Sequence, residues 1–421
     1  MCEWSTKKIG EIADLILSNV DKHIEPSEKQ VLLCNYMDVY NNRYIKNGHK
    51  FSYGSVKPDE FEKYRLKIND VIITKDSETP DDIAVPAMVF DEFDGLVCGY
   101  HLAILRPNVN LVSGSFLMHV LQLNEVSRFF SRAAKGATRY GITKDAIMNI
   151  EIFMPDLVTE QERIADILSN VDNTIEKTED LIEKYQKIKV GMMQDLFTCG
   201  IGEDGKIRPP YHEAPELYKE TELGMLPNEW GLDKLNSISQ VIDSLHETPL
   251  YADYGYKMVR ANDIKEGPLN TKMTYKVIKE VFEKFTARYT PKKGDILMSR
   301  VGSYGVTCYI ESEEKICLGQ NVVVIIPKID NMFIYYYLNT NIVKNQIENN
   351  IVGSSQKTLS LAYINKLLVP VPHLHEQQRI AKALNQHNIE LRKEMNHLGK
   401  LKNLKQALMQ DFLTGKVRVT A

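Results

Sequence analysis

Three stretches carry residue types from which catalysis or metal binding can be built, and each lacks a necessary part. Arg208-Pro209-Pro210-Tyr211 approaches the Asn/Asp-Pro-Pro-Tyr loop used for methyl transfer to amines, where an amide or carboxylate accepts a bond from the target. A guanidinium carries donors only, and no glycine-rich loop for a methyl donor accompanies it. Gly200 to Lys206 fits the GxxxxGK spacing of a phosphate loop, yet Ile207 stands where Ser or Thr must hold magnesium. His373 and His375 lack a third ligand in register, and a polar helix entry is the plainer reading. The expectation is a chain with no catalytic group, no metal and no cofactor of its own. An enzyme using the Pro209–Tyr211 loop is the contrary class.

Local charge points to recognition instead. Residues 272–300 hold eight basic residues against three acidic ones, including Lys272 and Arg300, with Tyr275 and Tyr289 between them. Residues 43–75 hold eight against four, including Arg43, Lys50 and Lys75. Arg128, Arg132, Lys135, Arg139 and Lys144 run without an acidic residue from a helix end into a glycine loop, which suits a phosphate backbone. A solvated helix face is the alternative for each run taken singly; recurrence in two places favours the nucleic-acid reading.

Base edges are read by forked or amide side chains at loop tips. Lys75, Asp76 and Ser77 follow one β-branched run, and Arg300, Ser303 and Tyr304 follow another in SRVGSYG, whose glycines also suit a tight turn. Tyr100 and His101 stand opposite Gln320 and Asn321 in the next matched pair of loops. The change of residue type between matched loops suits two readers of different sequence.

The elements that must position these loops are repeated. EQERIADIL at Glu160 returns as EQQRIAKAL at Glu376, and the offset of 216 holds without a gap over 39 residues, to Thr198 and Thr414. Ile164, Leu168, Val171, Ile175, Ile182 and Tyr185 form a heptad seam, with Thr178 in one slot. The second copy keeps it through Ile380, Leu384, Leu391, Leu398 and Leu401, with His387 and Glu394 as looser points. Both seams then shift by one, through Ile188, Met192 and Leu196 and through Leu404, Leu408 and Phe412. Thr159 and Glu162 spell a capping box after Pro155. Each helix is expected to be roughly 55–60 Å long, and two copies related by duplication are expected to lie antiparallel.

The segments before the helices repeat as well. Trp4, Lys8, Ile12 and Ile16 match Trp230, Lys234, Ile238 and Ile242, and Asp70-Val71-Ile72 matches Asp295-Ile296-Leu297. Strands are expected at 71–74, 102–105, 296–298 and 322–326, and one main helix per segment at 115–134 and 332–349. The fold class is α+β: two similar domains of mixed sheet plus helices, 1–155 and 230–372, with long helices at 156–199 and 373–421 and a Gly/Pro-rich linker at 200–229.

At 421 residues, 43% hydrophobic and 26% charged, with a net charge of −4, the chain reads as soluble and globular, so any basic footprint must be local. Six cysteines in no framework spacing suit a reducing cytoplasm, and no apolar run is long enough to span a bilayer.

EQERIADIL and EQQRIAKAL after a proline-ended strand, the helix ends MMQDLFT and LMQDFLT, and YKETELGMLPNEW from Tyr218 to Trp230 together resemble the specificity (S) subunit of type I restriction–modification systems. The resemblance covers almost the whole chain. It implies two target-recognition domains, each reading one half of a bipartite site in double-stranded DNA, and an intramolecular antiparallel coiled coil that sets the spacing. It also implies docking of two methyltransferase subunits, with restriction subunits joining later; S-adenosylmethionine, ATP and magnesium would belong to those partners. Loops with Lys75 to Ser77, Tyr100, His101, Arg139 and Tyr140 would serve one half-site, and Arg300 to Tyr304, Gln320, Asn321, Ser354, Ser355, Gln356 and Lys357 the other. A repeat-built protein scaffold without DNA specificity is the competing reading.

Overall fold

The structure, a computed structural model, describes residues 3–351 and 358–419. Contacts group the chain into two compact units, Met1–Glu179 with Asn396–Ala421, and Asp180–Met395. Each unit holds part of both long helices, Val158–Thr198 and Leu374–Phe412.

The first unit is built on a five-stranded sheet in the order Ala13–Leu17, Leu102–Pro107, Val71–Thr74, Pro86–Val89, Tyr44–Ile45. A three-stranded sheet, Ser52–Val56, Lys29–Cys34 and Leu96–Cys98, stands beside it. The run Val71-Ile72-Ile73 is apolar throughout because side chains alternate between faces and both faces are covered. Val71 and Ile73 enter the core under the helices, with Ala103 and Leu105. Ile72 enters a separate core with Leu102 and Ile104.

The second unit repeats the plan with four strands, Ser239–Asp243, Val322–Pro327, Ile296–Ser299 and Thr307–Tyr309, beside Tyr275–Val277, Tyr256–Val259 and Ile316–Leu318. Ile296 and Met298 go to one core and Leu297 to the other. In each unit a short antiparallel pair joins the domain entrance to the strand before a long helix: Trp4–Lys8 with Glu151–Pro155, and Gly231–Lys234 with Leu368–Val371.

Within each unit the two helix segments run antiparallel. In the first, Asp172 meets Lys405 and Glu179 meets Lys402; in the second, Tyr185 meets His387. Ile164, Leu168, Ile175, Ile182, Ile380, Leu384 and Leu391 are buried, while Val171, Tyr185, Leu398, Leu401 and Leu408 are half-buried. Burying such a side chain fully contributes about 1.5–3 kcal/mol. His387 does not open the seam, since its Nε2 lies 2.8 Å from the Tyr185 carbonyl oxygen and its ring packs edge-on to that tyrosine.

Several expectations are corrected. Ile188 and Leu404 do not continue the seam; they are 39% and 48% exposed, and Lys189 and Lys405, one residue on, turn inward to Glu266 and Asp172. The capping box is absent, because the central helix starts at Val158 and leaves Thr159 inside the first turn, where Glu160 N–H donates to the Leu157 carbonyl. The two main domain helices are each divided, into Gly114–Leu121 and Asn124–Ala133 and into Asn331–Leu338 and Asn341–Ile351. Leu123 is extended at one break, and at the other Thr340 Oγ1 donates to Tyr337 O and accepts from Val343 N. The 200–229 stretch is ordered on the second unit, with a hairpin of Tyr218–Thr221 and Gly224–Pro227. No helix among the described residues is long and apolar enough to cross a membrane.

Candidate nucleic-acid interface

In the first unit the strand Val71–Thr74 delivers Lys75 to a loop where three chain segments meet. Lys75 N–H donates to the His101 carbonyl, Ile142 N–H donates to the Lys75 carbonyl, and Asp76–Ser77 pairs with Tyr140–Gly141. Gly136, at φ 153°, makes the returning loop possible, since a Cβ there would lie 1.8 Å from the Arg139 carbonyl oxygen.

The side chains converge. His101 Nδ1 lies 2.6 Å from Asp76 Oδ1, and Arg139 Nη2 lies 3.1 Å from the same oxygen and 3.0 Å from the imidazole. Lys75 Nζ donates to the Ser18 carbonyl at 2.6 Å and sits 4.6 Å from the Tyr100 ring centre. Burial holds the Lys75 ammonium below the ordinary lysine range, with Asp76 acting the other way. Ser77 Oγ is 3.1 Å from the Tyr36 hydroxyl. Arg132, Lys135 and Arg139 are exposed and Tyr140 is half-buried. Lys75, Asp76, Ser77, Tyr100, His101, Arg139 and Tyr140 thus form one group of mixed donors, acceptors and rings, flanked by cations able to neutralise phosphates. Lys50 is exposed and makes no part of the group's hydrogen bonds.

Arg43 lies elsewhere. Its Nη1 donates to Asp172 Oδ1 on the central helix at 2.8 Å, where the buried Lys405 Nζ, also 2.8 Å away, completes a three-charge cluster that only Arg43 opens to solvent. Asp172 is 2% exposed.

In the second unit Arg300 is 9% exposed, and its guanidinium is engaged by Asp243 and by the Leu359 carbonyl. It braces the loop rather than reaching outward. Ser303 is exposed, and the Tyr304 hydroxyl donates to Glu348 at 2.8 Å. Asn321 adopts φ 62°, and the Gln320 amide oxygen accepts from Glu247 and Thr248 N–H groups at 3.0 and 3.1 Å. Lys272 is exposed. Ser354, Ser355, Gln356 and Lys357 lie outside the described residues.

The near-catalytic stretches have structural work. Arg208 donates to Glu376 through both terminal nitrogens and to Glu229 through Nη2, and the Pro209 carbonyl accepts from Tyr218. His373 supplies the carbonyl that accepts from Glu376 and Gln377 N–H groups.

Sequence reading passed over Asn35 and Arg260, which occupy the same place in the two small sheets, against Gly99 and Gly319 respectively. NYMD and RAND, each a strand end with an aspartate three residues on, carried the signal. The aromatic residues Tyr36, Tyr40 and Tyr251 near these turns were likewise unassigned.

Fold and site together define a duplicated α+β recognition protein, with two similar loop-bearing domains carried on a repeated long helix. The model of the type I restriction modification DNA specificity domain matches residues 1–186 and 227–403, and the chain belongs to that family. It is a specificity subunit with two target-recognition domains. The putative type I restriction enzyme MjaX specificity subunit of Methanocaldococcus jannaschii is 26% identical over 438 residues, covering 99% of this chain and 94% of that protein. The EcoBI specificity subunit of Escherichia coli is 21% identical over 276 residues, covering 61% of this chain and 55% of that protein. The type I restriction-modification S subunit from M. genitalium shares the fold, with a TM-score of 0.61 and 17% identity over 98% of this chain and 96% of that one.

Proposed function

We propose that each domain reads one half of a bipartite DNA site and that the long helices fix the distance between the halves. The observation that carries this reading is the repeat itself. The frame is kept while the loop residues change, from Asp76, Tyr100 and His101 in one unit to Ser303, Gln320 and Asn321 in the other. A scaffold with one ligand would have no reason to vary its loop tips and hold its sheets constant.

The chain works without catalysis of its own, and its partners supply the methyl donor, nucleotide and magnesium. Two methyltransferase subunits dock on the helices, and restriction subunits join that complex in the cytoplasm. Matched clefts support the docking. One of about 460 Å³ in the second unit is lined by Met193, Gln194 and Leu391. One of about 570 Å³ in the first is lined by the repeat equivalents Met409, Gln410 and Ile175.

The test is a genome-wide map of methylated adenines in cells carrying this chain and its methyltransferase partner. A two-part motif with a fixed gap is expected; methylation that depends on the partner alone, with no such motif, contradicts the reading.

A further inference from the structure

The residue that follows the middle strand of each small sheet, Asn35 or Arg260, is held in one frame in both units. In the first, Gly99 N–H donates to the Cys34 carbonyl and Asn35 N–H donates to Asp38 Oδ2 at 2.7 Å. In the second, Gly319 N–H donates to the Val259 carbonyl and Arg260 N–H donates to Asp263 Oδ2 at 2.9 Å. Both glycines open the turns that carry the recognition residues, Tyr100-His101 and Gln320-Asn321. A Cβ on Gly319 would lie 3.3 Å from Arg260 Cγ, so the arginine stem lies directly against that turn.

The Arg260 guanidinium is fixed on two sides. Its Nε and Nη2 donate to the two oxygens of Asp263, each at 3.2 Å. Its Cζ sits 3.9 Å from the centre of the Tyr275 ring, which is itself packed against Tyr251 at 4.5 Å. The carboxylate takes the Nε edge and the ring takes one face. What is left is the end of the fork, where Nη1 makes no hydrogen bond among the described residues. The side chain is 31% exposed.

We infer that Arg260 is a specificity-determining residue of the second unit and reads a guanine through its O6 and N7 atoms. The inference rests on the reading of the chain as a DNA specificity subunit. Guanine presents two adjacent acceptors in the major groove, which match the fork end of an arginine. A fork already oriented by a carboxylate and a ring loses little freedom on binding. The paired carboxylate also weighs against a phosphate, because Asp263 offsets the charge that a phosphate contact uses while leaving the directional donors in place. At the matched position the first unit carries Asn35, whose amide nitrogen donates to the Leu33 carbonyl at 3.2 Å, so no arginine fork is presented there.

The experiment uses the full chain with its methyltransferase partner and duplexes carrying the methylated motif. The half-site read by the second unit is assigned by exchanging the first domain. Each guanine of that half-site, on either strand, is then replaced singly by 7-deazaguanine, which lacks the N7 acceptor. One replacement is expected to lower wild-type methylation about five-fold or more. The same replacement has no effect in Arg260→Ala, whose motif in cells relaxes at that position alone. Arg260→Lys, which keeps the charge without the fork, relaxes it as well. The inference is overturned if no guanine of that half-site responds in the wild-type protein, a result that needs no variant to fold. It is also overturned if Arg260→Ala slows all sites equally and keeps the motif. Absence of any two-part motif in the wild-type map fails the specificity reading itself, before the question of Arg260 arises.

Discussion

Arg418 grips Glu160 at two points, with Nε donating to Oε1 at 2.8 Å and Nη2 donating to Oε2 at 2.9 Å. Trp4 Nε1 reaches the same carboxylate at 3.4 Å. In the second unit Arg208 takes Glu376 with its two terminal nitrogens, Nη1 on Oε1 and Nη2 on Oε2, beside Trp230. The segment after each long helix thus clasps the first turn of the helix it is paired with, so the stretch that follows one copy of the repeat closes the other. The glutamine that follows each glutamate completes the joint. Gln161 donates to Pro155 O and accepts from Ser113 N–H, and Gln377 donates to Pro372 O and accepts from Asp330 N–H.

Arg418→Ala should loosen the first unit and leave the second intact. Glu160 is 7% exposed but Arg418 is 39% exposed, so water reaches the carboxylate once the arginine is removed and the cost is about 1–3 kcal/mol. Arg418 and Trp4 hold the Glu160 carboxyl below the usual glutamate range. A depressed folded pKa gives stability that is present above the ordinary carboxylate range and lost as pH falls through the folded value. Urea unfolding should therefore show the Arg418→Ala deficit at neutral pH shrinking in acid. A deficit independent of pH would count against the clasp.

Asp172→Ala should strand Lys405 in a buried site at a cost of about 3–5 kcal/mol, with the exposed Arg43 adding little, whereas Asp172→Leu with Lys405→Met should recover much of it. Burial already lowers the Lys405 ammonium from its ordinary value. Thermal unfolding of the single and double variants checks this, and a double variant no better than the sum of the singles would contradict it.

Burial pushes His119 down to about 3, with Lys405 and Arg43 adding to the effect. The imidazole stays neutral in the folded chain and takes a proton near its ordinary value of about 6.5 once unfolded. Stability of the first unit should fall as pH drops from about 6.5 towards 3. His119→Gln should flatten that slope in urea titrations across this range; an unchanged slope would assign it to other groups.

Leu168→Glu places a carboxylate in the core between the helices and should cost several kcal/mol. Ile188→Glu, on the same helix but exposed, should cost about 0.5 kcal/mol or less. Comparable losses in the two would mean that the seam is misassigned.

Lys135→Ala should weaken binding of the assembled complex to all duplexes alike and reduce the log–log salt slope by about one. A change of methylation motif in this variant would make Lys135 a base reader.

The strands and the two helices were legible because alternation and heptads are local patterns that burial enforces. The inward turn of Lys189 and Lys405 was not, since a lysine faces inward only when a carboxylate from a distant segment meets it. Arg300 sat in a loop with the composition of a reader, yet Asp243, 57 residues away, decides that it is a brace. Arg260 was missed for the opposite reason. Its partners Asp263 and Tyr275 are ordinary in sequence, and only folding stacks them around one guanidinium. Glu160 and Gln161 stood out as a repeat without showing why, because their partners come from Arg418 and Ser113.

The most direct test is to replace residues 1–155 with the first domain of a related subunit of different specificity and to map methylated adenines in cells that supply the partner. One half of the motif should change, and the other half and the gap should stay as they were. A change in both halves, or in neither, would contradict two independent readers on a fixed spacer.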